Sequence, residues 1–220
     1  MPNWTANELY ITFPNKEEKE KFASIAKQDE RIFSFNGFIP MPEGLIETTS
    51  PHQNPEDFVA RVNQRNHTNY QNLTDVMNSR NQWDADIAKG IAMNMEFHRK
   101  IGYYNWYDWS ISNWGTKWDA CHSSLIGETD TSLSYTFDTA WDTPMVFFNT
   151  LFNLYPELEF RVVSHSIESD YYFEIVKEDG EYKVTEEFDS FREAIKNGKL
   201  GGEDEWLDFF EDDEEEAEIA

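Results

Sequence analysis

One cysteine, Cys121, stands in 220 residues, so no disulfide forms within the chain and a four-cysteine iron–sulfur cluster has no ligand set. Apolar runs are short: none approaches the roughly 18 to 20 residues that cross a bilayer. The segment Met1–Ile11 has no basic start before an apolar stretch, and a cytosolic protein is expected. Asn-x-Thr triplets at Asn3, Asn66 and Asn72 then carry no glycosylation meaning. Glycine-rich phosphate loops, Gly-x-Ser-x-Gly and His-Glu-x-x-His are all missing, and with them the common enzyme signatures. Bases are scarce: 18 Lys and Arg stand against 43 Asp and Glu, for a net charge of -25. Nucleic-acid phosphates and anionic membranes are repelled by such a chain, so a basic protein surface is the partner class that remains.

The acid is unevenly placed. Glu203 to Glu218 holds eleven carboxylates and no base; removing them from the 43 leaves 32 acids against 18 bases, a surplus of 14 on the rest. This composition predicts a flexible acidic tail over 199–220. Within it Trp206, Leu207, Phe209 and Phe210 are an apolar element able to fold onto a partner or dock back on the chain.

Aromatic residues are plentiful at 16% and supply a core. Leu9, Ile11 and Phe13 alternate with polar neighbours as in a strand, and Pro14 stops it. Asn15 with Glu18 opens a helix whose expected buried stripe is Phe22, Ile25 and Ala26. Residues 50–102 read as a helical insertion: Asn54-Pro55 starts one helix, and Trp83, Ile87, Ile91, Met95 and His98 mark the stripe of another. Strand pattern returns from the later part of the aromatic stretch Tyr103–Trp118, with Trp118 on a strand, and continues through Leu133, Tyr135 and Phe137. Asp142 or Thr143 is placed to cap a helix begun at Pro144, and Leu158, Phe160 and Val162 form a strand. Glu178-Asp179-Gly180-Glu181 reads as a hairpin turn between strands at Tyr171–Val176 and Tyr182–Val184, and Asp189 as the cap of a last short helix. Strand, helix, strand, strand, helix, strand is an α+β order, the split βαβ arrangement of a ferredoxin-like sheet with an added hairpin. It is expected to form a single domain over 1–198.

Four blocks also carry a resemblance: Asn3-Trp4 with Asn7; Gly37-Phe38-Ile39-Pro40-Met41-Pro42; Trp114-Gly115-Thr116-Lys117-Trp118-Asp119; and Phe137-x-x-Ala140-Trp141-x-x-Pro144. Over residues 1–177 the chain resembles the YubB ferredoxin-like family of phage and plasmid proteins. That resemblance implies a ferredoxin-like fold and a mobile-element setting, and it supplies no reaction.

Two functions compete. Glu17, Glu18, Glu20, Glu56, Asp57, Asp84 and Asp86 are acids on expected helix faces. With Trp206, Phe209 and Phe210 they are candidates for contact with the basic surface of a host protein, as a decoy for nucleic acid. Alternatively, Trp106, Trp109, Trp114 and Trp118 with Asp108 and Asp119 could line a groove for a carbohydrate or other small molecule, two acids serving as general acid and base. Core packing is the plainer role for those tryptophans. Cys121, His122, His98 and His165 lack metal-ligand spacing, and adjacent strand residues such as Cys121 and His122 point apart. No cofactor or metal is expected.

Overall fold

The computed structural model describes residues 3–178, 181–188 and 190–200. Of these, the residues up to Phe38 and from Asp119 onward form one compact unit, and Ile39–Trp118 a second.

The first unit is built on six strands: β1 (Trp4–Thr12), β2 (Cys121–Glu128), β3 (Ser132–Ala140), β4 (Glu159–Ser166), β5 (Tyr171–Glu178) and β6 (Glu181–Phe188). They lie in the order β2-β3-β1-β4-β5-β6 with every neighbouring pair antiparallel, which places the chain in the α+β class. Period-two alternation sends Thr5, Asn7, Leu9 and Ile11 of β1 to one face. There Ile11 lies between Leu133 and Phe160, and Leu9 between Tyr135 and Val162. Two helices cover this face: α1 (Lys16–Ala26), capped by the Asn15 side chain on Glu18 N, and, later in the chain, a helix at Met145–Leu154. Phe33 and Phe35, from the loop after α1, complete the core, Phe33 stacked 5.0 Å from Phe137 and Phe35 4.1 Å from Phe147. Each buried Phe of this kind is worth about 1.5–3 kcal/mol over its exposed state.

Ile25 departs from the expected stripe at 36% exposed. The chain buries Lys19 instead, because its ammonium reaches Glu128 Oε1 and Thr129 O, both at 2.7 Å.

In the helical unit Asn54 caps α2 (Pro55–Asn66) as its sequence suggests, followed by α3 (Leu73–Met77), α4 (Gln82–Ile101) and α5 (Trp106–Trp114). Phe58, Val59, Val62, Val76, Ala88 and Ile91 form its core. The buried face of α4 is rotated from the expected stripe: Asp84, Ala85, Ala88, Ile91 and Asn94 point inward, while Trp83 is 63% exposed under the Arg65 guanidinium. Polar anchors set that rotation. Asp84 accepts from Arg65, from Asn66 Nδ2 at 2.7 Å and from Asn81 Nδ2 at 2.7 Å, and Asn94 clamps the backbone of Thr49. Gly90 lets Thr49 come close, for a Cβ there would lie 3.0 Å from Thr49 Cγ2.

The aromatic stretch expected to turn into strand is largely α5. Asn105 and Asp108 cap one another reciprocally, and Gly115, at φ 79°, ends the helix. Trp118 therefore sits in a bend before β2.

Back in the sheet unit, α6 is the helix at Met145–Leu154. Its N-cap position is Pro144, with no side-chain cap, and the Thr143 hydroxyl points into a buried polar cluster instead. The short α7 (Phe191–Lys196) covers the opposite face of the sheet, where Ala194 packs with Val163 and Tyr172. The hairpin residues Asp179 and Gly180 and the expected cap Asp189 lie outside the described residues; Asp170 Oδ1 receives Phe191 N at 2.8 Å. Folded chain continues past the expected boundary at 198, since Leu200 packs beside Phe191 and Ile195. Among the described residues no helix is long and apolar enough to cross a membrane.

Candidate functional site

The Trp106–Asp119 stretch was the candidate for chemistry, and its polar groups are occupied. In the helical unit Trp109 and Trp114 are buried edge to face at 5.1 Å, and Trp114 Nε1 donates to Ile39 O at 3.0 Å. Thr116 is buried as well, and Lys117 lies over the Trp118 ring, 4.6 Å from its centroid. The Asp108 carboxylate holds Asn105 at the start of α5. Asp119, the first residue of the sheet unit's second segment, accepts from Ser34 Oγ and Phe35 N at 2.6 Å each, from Ala120 N at 2.7 Å and from Arg31 Nη1 at 3.1 Å. With four donors upon it, this buried carboxylate has no oxygen left to exchange a proton with a substrate.

The four motif blocks meet in pairs. Trp141, at φ 76° and 43% exposed, donates its backbone N–H to Asn3 O at 2.8 Å. Below it Asn7 Nδ2 donates to Thr139 Oγ1 at 3.0 Å, and Asn7 Oδ1 accepts from Ser164 Oγ at 2.7 Å. Thr143 Oγ1 lies 2.6 Å from Ser164 Oγ and 2.9 Å from the Tyr171 hydroxyl, closing a buried, fully partnered cluster. Gly37 belongs to the second pairing: a Cβ there would lie 2.0 Å from Ile25 O, so only glycine permits that approach. Its partner block supplies Asp119, bonded to the loop just before Gly37. These motifs build structure.

The other candidate groups are dispersed. Cys121 is half-buried, its thiol pushed up first by burial and then by Asp119 and Asp138 against the opposing pull of Arg31. His122 is exposed and 2.8 Å from Asp138 Oδ2. His98 and His52 sandwich the Tyr104 ring at 3.9 and 4.0 Å. His165 stacks on Phe191 at 5.4 Å, and its Nδ1 has no hydrogen-bond partner among the described residues. Among the described residues no three His, Cys, Asp or Glu side chains gather to hold a metal ion. A hollow of about 260 Å3 on the α7 side of the sheet is lined by Tyr10, Glu159, Arg161, Val176 and Glu178 among others. It falls below the roughly 300–1,000 Å3 of small-molecule pockets. Its one base is engaged, Arg161 forming a two-point pair with Glu174 at 2.8 and 2.9 Å.

The acids proved more informative by segment than by helix face. Glu17 and Glu18 pair with Lys21, and Asp86 with Lys89; Glu20, Glu56 and Asp57 are exposed. Asp84 is fully buried and cannot meet a partner, a correction that follows from its three donors. Trp206, Phe209 and Phe210 lie outside the described residues. Residues 1–38 hold six acids against five bases and 39–118 nine against seven, whereas 119–200 hold seventeen against six. The surplus of the body thus belongs to the second part of the sheet unit, with Glu159, Glu168, Glu178, Glu181 and Glu187 exposed. Counting acids along the sequence segment by segment would have found it.

No protein-family model matches the chain, and no curated protein is similar to it. Among solved structures, the protein api92 from Yersinia pseudotuberculosis, assigned to the family model DUF1281, aligns over 86% of this chain and 98% of its own at 9% identity and a TM-score of 0.43.

Proposed function

We propose that the chain is a non-enzymatic acidic binding protein that presents the acid-rich part of its sheet unit to a basic surface of a protein partner. The observation that carries this reading is the segregation of charge: seventeen acids against six bases over residues 119–200, beside a helical unit close to neutrality. Scattered acidity that served only solubility would not need this asymmetry. Carboxylates so placed suit Lys and Arg side chains that ordinarily meet phosphate, and the protein then acts as a polyanion decoy. The strand order with β1 between β3 and β4 supports a ferredoxin-like core extended by the β5–β6 hairpin. A cytoplasmic accessory protein of a phage or plasmid, akin to the YubB family, acting on a nucleic-acid-handling or defence protein of its host, is the setting that fits both.

The test is capture of partners from bacterial lysate on the full chain, followed by salt titration and competition with duplex DNA. Partners should be lost as salt rises and displaced by DNA, and a Glu159→Lys/Glu178→Lys/Glu181→Lys variant should fail to hold them. Partners retained at high salt and by that variant would remove the electrostatic reading.

A further inference from the structure

Among the described residues strands β2 and β6 stand at the two ends of the sheet order, and an edge strand offers unpaired backbone groups to an added strand. The two edges differ. β2 meets β3 with register shifts between Cys121 and Ser124 and again between Leu125 and Gly127, and such irregularities turn an edge away from further pairing. β6 runs in unbroken register with β5 from Glu181 to Val184 and, after one shift, from Glu186 to Phe188.

Side chains on β6 reinforce the contrast. Tyr182 pairs with Lys177 and Val184 with Ile175, so both face the α6 side of the sheet, where they are 55% and 52% exposed. Tyr182 is held 6.0 Å from the Phe152 ring of α6, which fixes its position at the rim. Glu187 shares their side through its pairing with Phe173, while Glu178 and Glu181 pair on the other. The edge is therefore an apolar pair flanked by carboxylates, with Lys183 as its one base.

Charge decides the occupant. A second copy would bring the same surplus to the edge, three β6 glutamates (Glu181, Glu186 and Glu187) against one lysine (Lys183), and like charges across a strand pair destabilise a sheet. A basic strand reverses the sign of the contacts with the glutamates, which outnumber Lys183 on β6. We propose that β6 is a docking edge for an extended Lys- or Arg-bearing segment of a partner protein, added to the sheet as a seventh strand. Its apolar residues lie over Tyr182 and Val184, and its basic residues, on the other face, meet Glu178 and Glu181. This rests on the reading that the partner is basic and adds where and how it binds.

The experiment uses the full chain and a labelled peptide of alternating Lys and Val, beside the same peptide N-methylated at alternate residues, which keeps charge and side chains but removes ladder donors. Fluorescence anisotropy at low salt should give binding of the first and a loss of roughly tenfold or more for the second, since several ladder hydrogen bonds vanish. Tyr182→Ser/Val184→Ser, whose folding is checked by circular dichroism, should weaken the first peptide alone, and its amide shifts should fall on β6. Equal, salt-sensitive binding of both peptides, unmoved by that variant, overturns the edge and leaves the charge reading standing. Failure to bind either peptide at low salt overturns both. Concentration-dependent dimers abolished by Val184→Lys would assign the edge to a second copy and overturn the proposal.

Discussion

Asp119 and Ser34 are joined by a 2.6 Å hydrogen bond across 85 residues of sequence, the serine hydroxyl donating to a carboxylate that also receives Phe35 N, Ala120 N and Arg31. That geometry fixes the Phe33–Phe35 loop against the start of β2, and with it two of the core rings. Asp119→Ala strands these buried donors. It should lower the unfolding free energy by about 2–4 kcal/mol in urea titration, with Asp119→Asn recovering part of the loss. Unchanged stability in both variants would return Asp119 to the ranks of candidate reactive groups.

Asn7 and Ser164 face each other in register across β1 and β4, and both belong to the hydroxyl cluster that includes Thr139, Thr143 and Tyr171. Buried networks of this kind lose more when broken at one point than pairwise deletions suggest. Asn7→Ala should cost about 1–3 kcal/mol, and adding Ser164→Ala should cost less than its separate effect. A double-mutant cycle that came out additive would mean the two residues do not act as a unit.

How far the sequence reaches is clear from the residues themselves. The β1 alternation and the Asn15 and Asn54 caps were legible because each depends on neighbours within a few positions. The buried face of α4 was not, because Asp84 and Asn94 turn inward only where Arg65, Asn66 and Thr49, remote in sequence, receive them. A hydrophobic stripe cannot anticipate polar residues whose partners lie elsewhere. The tryptophans of 106–118 read as packing more plainly than as a groove, and the hydrogen-bond partners of Asp108, Trp114 and Asp119 separate the two. Charge was legible in sum and misplaced in detail, since Glu17, Glu18 and Asp86 on helices pair with lysines of the same helix while most of the surplus sits in the strand-rich second part.

Lys177 is the sharpest case of a residue whose sequence context hides its role. It is buried on β5 and donates to the carbonyls of Tyr155, Pro156 and Leu158 at 3.0, 2.7 and 2.7 Å, satisfying the chain as it leaves α6. Burial lowers its pKa, opposed by Glu157. Lys177→Met keeps the stem but leaves three carbonyls without their donor, and should destabilise the protein by about 2–3 kcal/mol. Hydrogen exchange should quicken first around 155–158. A variant as stable as the parent would show that water replaces the ammonium at no cost.

The pH dependence of stability should come first from histidine. His165 sits between the sheet and Phe191 of α7, and burial lowers its pKa from 6.5 against the smaller opposing pulls of Glu8 and Asp138. His52, against Tyr104, is lowered by burial and also by His98, with Asp108 opposing. A histidine whose folded pKa is depressed stays neutral in the native state while the unfolded chain takes up a proton below about 6.5. Its contribution to stability is complete above that pH and is lost as pH falls towards the folded value. Carboxylates held low, such as Glu174 beside Arg161, act only below their ordinary 4.5. Between pH 7 and 5 the unfolding free energy should therefore decline, by at most about 1.4 kcal/mol per pH unit for one proton. His165→Gln should flatten that decline and His52→Gln should flatten it further. Urea titrations at half-unit steps of pH read the slope directly, and a slope unaltered in both variants would place the titrating groups elsewhere.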